Sequence, residues 1–439
     1  MEPAARRSRL DRAYQAIANE EDARVCTEIS DDACRYVPQN FFLIAAAQTL
    51  SNLGDHLANA KTVLAWLLGF VGAPAGLVAL LVPIRESGSM VPQLVIASFV
   101  RQMPRRKFVW VLGSVLQAAA MIGMAVAALT STGTLAGVLI LAMLILFSLA
   151  RGLCSVASKD VLGKTVPKGR RGRVAGLAAT LSGIAAMGLG VYVGFMQREA
   201  SGPGLYVVLL LAAAGAWFIA AGVYASIQEF AGETAGGGNG LTAALARLDL
   251  LTKDRVFRRF VITRALFLCS ALSAPYYVVL AQQEHGQDLR TLGWFILANA
   301  LAASVSAAFW GLMADVSSRR VLLRAAGGAA VLGVLVFVVA NVDSPLRHSG
   351  WTYAAAFFLL SIAHSGVRLG RKTYIVDMAG GNKRTDYVAV SNTVIGVILL
   401  VAGLLAPLAA VVGPDGMILL LSVAGLIGVI SGAGLPEVE

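Results

Sequence analysis

Long apolar runs bounded by short charged clusters recur from about residue 40 to residue 434. A helix rises 1.5 Å per residue, so ~20 apolar residues cross the hydrocarbon of a bilayer. Runs of that length predict spans at 40–68, 73–100, 107–129, 134–158, 172–197 and 204–226. Residues 227–255 then turn polar and Gly-rich (QEFAGETAGGGNG), as a flexible linker does. Six further spans are predicted at 256–282, 290–314, 321–341, 351–376, 386–411 and 416–434. The fold expected is all-α and integral to the membrane, with twelve transmembrane helices in two pseudo-symmetric six-helix bundles, 40–226 and 256–434. Residues 1–39 form a polar tail, either a short amphipathic surface helix or an ordinary tail, and 435–439 a short carboxy terminus. No secretory cleavage pattern precedes the first run, so the first span is expected to be the targeting signal and to persist.

Composition agrees with this pattern. Of 439 residues 57% are hydrophobic and 14% charged, against about 25% charged in soluble domains. The mean hydropathy is +0.73. The net charge of +11 would suit nucleic acid if it lay on one face or in one tail. Instead it falls in alternate loops: Arg101 to Lys107, Lys164 to Arg173, Arg255 to Arg259, Arg319 to Arg324, and Arg371 to Arg384. The intervening loops hold little beyond Arg198, Arg290 and Arg347. Such alternation places both termini in the cytoplasm and the chain in a cell (inner) membrane; no nucleic-acid partner is expected. Cys26, Cys34, Cys154 and Cys269 have neither metal-ligand nor redox spacing, and free thiols are expected. GETAGGGNG lacks the lysine and setting of a phosphate loop, so ATP-driven transport, a cofactor and a metal are not expected.

The halves resemble each other. GRRGRVAGLAATLSG (169–183) follows the fourth span as NKRTDYVAVSNTVIG (382–396) follows the tenth. ASFVRQMPRRK, from Ala97, follows the second as GLMADVSSRRV, from Gly311, follows the eighth. Internal duplication of this kind marks transporters whose halves rock about a central site.

GLMADVSSRR resembles the loop motif of the major facilitator superfamily, with Gly311, Asp315, Arg319 and Arg320 in the motif positions. In such a loop Gly311 permits close helix approach, Asp315 bonds a neighbouring helix end or arginine, and Arg319 with Arg320 meets lipid phosphates. SNLGD, GAPAGLVALL and MPRRK, and then ARGLCSVASKDVLGKTVPKGRRGRVAG, are similar to stretches of its export-type members, including drug and siderophore exporters. Two departures stand out: Arg101 occupies the place of the first-half loop aspartate, and the fifth span has Gly183, Gly188, Gly190 and Gly194 without a glycine-proline pair. The resemblance covers everything beyond the tail and implies secondary active transport by alternating access, not enzyme activity. It favours proton-coupled export of a small amphipathic organic molecule. Uptake of an organic anion with protons, motivated by Arg85, Arg151, Arg264 and Arg368, and lipid or lysolipid flipping are the alternatives. The partners expected are a small-molecule substrate, protons and membrane lipids, with the chain a monomer.

TLSNLGDHLANAK, inside the first span, carries the costliest residues. Gln48, Asn52, Asp55, Asn59 and Thr62 are four, three, four and three apart, one stripe of a helix. A charge at mid-membrane costs at least ~2.5 kcal/mol, so the stripe predicts a cavity wall with Gln48, Asn52 and Asn59 toward substrate. Asp55 either carries a proton or is a structural partner of Lys61 or Arg85. In the second span Arg85 and Glu86 point roughly 100° apart, so one faces the cavity and the other a neighbour. Arg85 can bind an anion and Glu86 can be a second protonatable carboxylate, or both can pair with other helices. Arg151 matches the fourth-helix arginine that the resemblance associates with proton coupling; a snorkelling role is the alternative. His364, Asn299 and Asn392 are candidate substrate contacts or hydrogen-bonded core residues, with Arg368 and Arg371 following His364 at helical spacing. Lys159, Asp160 and Arg264 read as interface residues.

Overall fold

The computed structural model describes residue 14 and residues 31–195, 202–232, 234, 247–314, 316–378 and 384–438. Among them the chain is helical, with no extended strand. The first predicted span is interrupted: α1 (Val37–Leu57) and α2 (Val63–Phe70) are joined by a non-helical turn. The cause is local. The Asn59 side chain accepts from the Lys61 N–H at 2.8 Å and its carbonyl from the Leu64 N–H at 3.0 Å, which competes with helix continuation. Asn59 and Thr62 therefore leave the helical stripe that a continuous helix would have given them. The second span is also segmented, into α3 (Ala75–Ala79), α4 (Leu81–Met90) and α5 (Gln93–Arg101), with Pro74 and Pro92 preceding the first and last pieces.

Long helices follow: α6 (Lys107–Thr130), α7 (Gly133–Thr165), α8 (Lys168–Phe195) and α9 (Gly204–Ala225). Beyond the linker, α10 (Arg255–Leu266), α11 (Cys269–Leu272) and α12 (Ala274–His285) run end to end. Then come α13 (Leu289–Ala314), α14 (Ser318–Asn341), α15 (Gly350–Met378), α16 (Arg384–Gly403) and α17 (Leu408–Ala433), which breaks at Gly413 (φ 75°) before Pro414. Among the described residues eight segments are long and apolar enough to cross a membrane: α6, α7, most of α8, α9, α10 to α12 together, most of α13, α14 and α17. The segmented first and second spans, the charged α15 and the short apolar part of α16 fall outside that measure. Of the charged side chains that line the site below, all but Arg151 and Arg264 come from these less apolar segments.

Each half is a bundle. In the first, α6 packs on α7 and α9, and α1 on α8 and α9; in the second, α14 packs on α15 and α17, and α13 on α15. The halves meet chiefly through α8 with α13 and α4 with α16, the same pair of helix positions exchanged between the two bundles. Large apolar side chains such as Tyr192, Phe195, Val411 and Ile430 are exposed on the outside, as lipid-facing residues are.

At one end the seam between the halves is tight. A Cβ at Gly293 would collide with the Gly194 backbone, and one at Gly190 would lie 2.6 Å from the Leu297 amide nitrogen. Small residues here let backbones touch. Trp66 meets Phe295 at 6.0 Å between ring centroids, and the Gln282 side-chain amide donates to the Trp66 carbonyl at 3.0 Å.

Loops are tied down by charge. Glu229, at the start of the linker, accepts from the Arg106 and Lys107 amides (3.0 and 2.7 Å) at the α6 N-terminus and pairs with Lys164 at 3.2 Å. In the GLMADVSSRR loop, Ser317 caps α14 by accepting from the Arg320 amide at 3.1 Å. Arg319 and Arg320 meet Glu437 at 3.2 and 3.5 Å, an internal carboxylate where lipid phosphate was expected. Gly311 has open space where a Cβ would stand, so the close helix approach expected of it does not occur there. Asp315 lies outside the described residues. Cys34 is disulfide-bonded, against the expectation of free thiols, while Cys154 and Cys269 are free and buried.

Candidate functional site

Behind the tight seam the halves enclose a cavity of about 930 Å³, within the range that holds a small molecule. Its wall takes residues from α1 and the turn after it, α4, α7, α8 and α10 to α16. Asn52, Asp55 and Asn59 line it, as does Asn299. Gln48 does not; it lies farther back along α1, half-buried. Thr62 is buried at 1% exposure.

Asp55 sits between two guanidiniums. Its Oδ1 lies 2.9 Å from Arg85 and its Oδ2 2.5 Å from Arg151, joining α1, α4 and α7 through one carboxylate. Arg85 also lies over the Phe147 ring, 4.8 Å from its centroid. Trp217, against Gly54 and bonded to the Ser51 hydroxyl at 3.3 Å, braces the other side of α1. The structure thus brings together Asp55, Arg85 and Arg151, three of the residues singled out in the sequence.

Glu86 lines the cavity one residue on from Arg85. It faces Lys61, Arg368 and Arg371 as well as Arg85, but none approaches within the 4.0 Å of an ion pair. Lys61 belongs to the turn between α1 and α2, which projects it into the cavity. Arg368 and Arg371 lie on α15, four and seven residues beyond His364, so all three share one helix face. His364 Nδ1 is 3.1 Å from the Ser270 hydroxyl. Arg264 also lines the wall, held by the Ser391 hydroxyl (2.6 Å) and the Asn392 carbonyl oxygen (2.9 Å). Asn392 stands behind Arg264 and does not line the cavity itself.

Among the described residues the lining therefore carries six cations (Lys61, Arg85, Arg151, Arg264, Arg368 and Arg371) against two carboxylates (Asp55 and Glu86), an excess of four positive charges with histidines neutral. Lys61 and Arg371 were not read as site residues from the sequence; the 364, 368, 371 spacing was the available signal for the second. Beyond the cavity Lys159 on α7 and Lys372 on α15 lie within electrostatic reach of each other, like charges on opposite halves. Among the described residues no cluster of metal-ligating side chains occurs.

The fold and this central cavity define a multi-pass membrane protein built like a carrier. Residues 260–437 match the family model of the Major Facilitator Superfamily. Solved structures extend the likeness along the chain. A POT family transporter in complex with 5-aminolevulinic acid matches with a TM-score of 0.68 at 9% identity, over 89% of this chain and 95% of that one. The inward open xylose transporter XylE from E. coli matches at 0.65 and 10%, over 92% and 97%. The nucleoside transporter NupG matches at 0.66 and 10%, over 90% and 99%. At these identities the likeness is one of fold. No curated protein matches by sequence. The family match over residues 260–437, with the fold extending along most of the chain, indicates a transporter and not an enzyme.

Proposed function

We propose that this chain is a secondary active transporter that takes up a small organic anion together with protons, by alternating access of two six-helix halves about the central cavity. The observation that carries the reading is the charge of the cavity wall, six cations to two carboxylates. Unpaired charge in a partly dehydrated site is costly, and an anionic cargo relieves it. An amphipathic cargo of the kind the export-type resemblance implies would leave that charge unmatched. Asp55 and Glu86, the two carboxylates of the wall, are the candidate proton carriers, and Arg151 positions the first of them. With both termini in the cytoplasm, the tight seam faces outward and the conformation is inward-facing.

Proteoliposomes test this reading directly. Benzoate, succinate and phenyl phosphate, each radiolabelled, are offered across an imposed pH gradient. Accumulation of at least one of them against its gradient, on the side away from acid, is the result expected. Movement of neutral or cationic amphiphiles alone would return the export reading to first place.

A further inference from the structure

The two carboxylates of the cavity are engaged differently. Asp55 is shared by Arg85 and Arg151 at ion-pair distance. Glu86 has no such contact, yet it lines the same cavity as a group of cations drawn from both halves and within electrostatic reach of it: Lys61 from the first, Arg368 and Arg371 from the second. Arg85 beside it on α4 is committed to Asp55. The other elements packed on α4 add little charge. From α7 comes Arg151, committed to Asp55; α16 approaches through Gly396 and Gly403, and α11 brings the thiol Cys269. His364, on the face of Arg368 and Arg371, completes the group. One carboxylate thus stands before three cations and neutralises one charge among them.

We propose that Glu86 is an internal stand-in for the acid group of the cargo. An anion enters the Lys61, Arg368 and Arg371 cluster, takes over the cations that Glu86 faces, and Glu86 binds a proton as it loses them. The step balances: one O–H bond forms on the Glu86 carboxylate with a proton from water, and no bond of the cargo breaks. A monoanion then enters with one proton and leaves the cavity charge unchanged, whereas a dianion lowers it by one. Because the cluster is contributed by both halves, the same anion draws Lys61 toward Arg368 and Arg371. This inference rests on the anion-transport reading above and adds to it the site and the coupling.

The test is binding of benzoate, succinate and phenyl phosphate to the purified full-length protein in weakly buffered detergent, with a pH dye. For wild type, uptake of one proton per anion bound is expected, and an affinity that rises about tenfold per unit fall in pH over the range in which Glu86 is charged before binding. Glu86→Gln is expected to bind the same probe more tightly at neutral pH, without the pH slope and without proton uptake, and to lose accumulation driven by a pH gradient. Lys61→Gln and Arg371→Gln are expected to weaken binding at every pH. Anion binding by wild type without proton uptake overturns the inference and leaves the anion reading standing, as does an unchanged pH slope in Glu86→Gln. If wild type binds none of the probes, the anion reading falls and this inference with it.

Discussion

The side-chain amide of Gln282 on α12 donates to the backbone carbonyl of Trp66 on α2, 3.0 Å away, and to the side-chain oxygen Oε1 of Gln287 at 3.1 Å. This pair bridges the halves at the tight end of the seam. Replacing Gln282 with leucine removes a bond worth about 1 kcal/mol. The expected result is a roughly fivefold shift away from the conformation described here. Labelling of a single cysteine introduced at Ser304, on the cavity wall, reads that shift as slower modification from the cytoplasmic side.

Gly293 gives a stronger form of the same prediction. A methyl group there meets the backbone of Val193 and Gly194, which cannot turn aside as a side chain would. Gly293→Ala is expected to cost the sealed seam about 1–3 kcal/mol, as overpacking does, and to move the Ser304→Cys labelling further in the same direction than Gln282→Leu.

Asp55→Asn leaves Arg85 and Arg151 facing each other without their shared counter-ion. Loss of one member of a largely buried ionic group costs about 3 kcal/mol, so a clear fall in the unfolding temperature in detergent is expected. Adding Arg85→Gln to Asp55→Asn should recover part of the loss, and a double-mutant cycle measures the coupling. Additive effects of the two substitutions would deny the shared ion pair its role.

Glu229 is fully buried and closes the α6 N-terminus through two backbone amides. Glu229→Ala is expected to lower stability by about 2 kcal/mol, the upper range for a helix cap, and Lys164→Ala by less because the cap remains. Thermal unfolding of the two variants side by side checks the order.

The Ser317 hydroxyl donates to Glu437, and Arg319 and Arg320 flank it, which together hold the Glu437 carboxyl below its ordinary range. A lowered value in the folded chain means that the tie between the carboxy terminus and the start of α14 is complete above the ordinary glutamate value. It is lost as pH falls through the folded one. Carboxypeptidase release of the terminal residues is therefore expected to quicken in acid for wild type, and to be fast and insensitive to pH for Glu437→Gln.

Much of the architecture is legible in the residues. Runs such as 107–129 and 204–226 predict α6 and α9 within a few residues, because apolar length is a local property. The spacing of Asn52 and Asp55 likewise predicts two of the cavity residues. What the spacing missed lies where the helix stops being regular. Asn59 turns the chain after Ala58 and swings Lys61 into the cavity, and a stripe drawn on a continuous helix has no place for that. Of the partners of Asp55, Arg85, 30 residues away, was one of the two cations named for it; that Arg151 on a different helix joins it and Lys61 does not is decided by packing alone. Arg264 was read as an interface residue and is both things, held by Ser391 and Asn392 while its side lines the wall.

Lys159 and Lys372 repel each other from opposite halves. That repulsion is softened by dissolved ions, whose screening length shrinks from about 30 Å in dilute buffer to about 8 Å at physiological strength. The unloaded carrier should accordingly rest more widely parted in dilute buffer than in saline. Turnover measured at a single salt concentration would then mix chemistry of the cargo with the ionic weather of the medium.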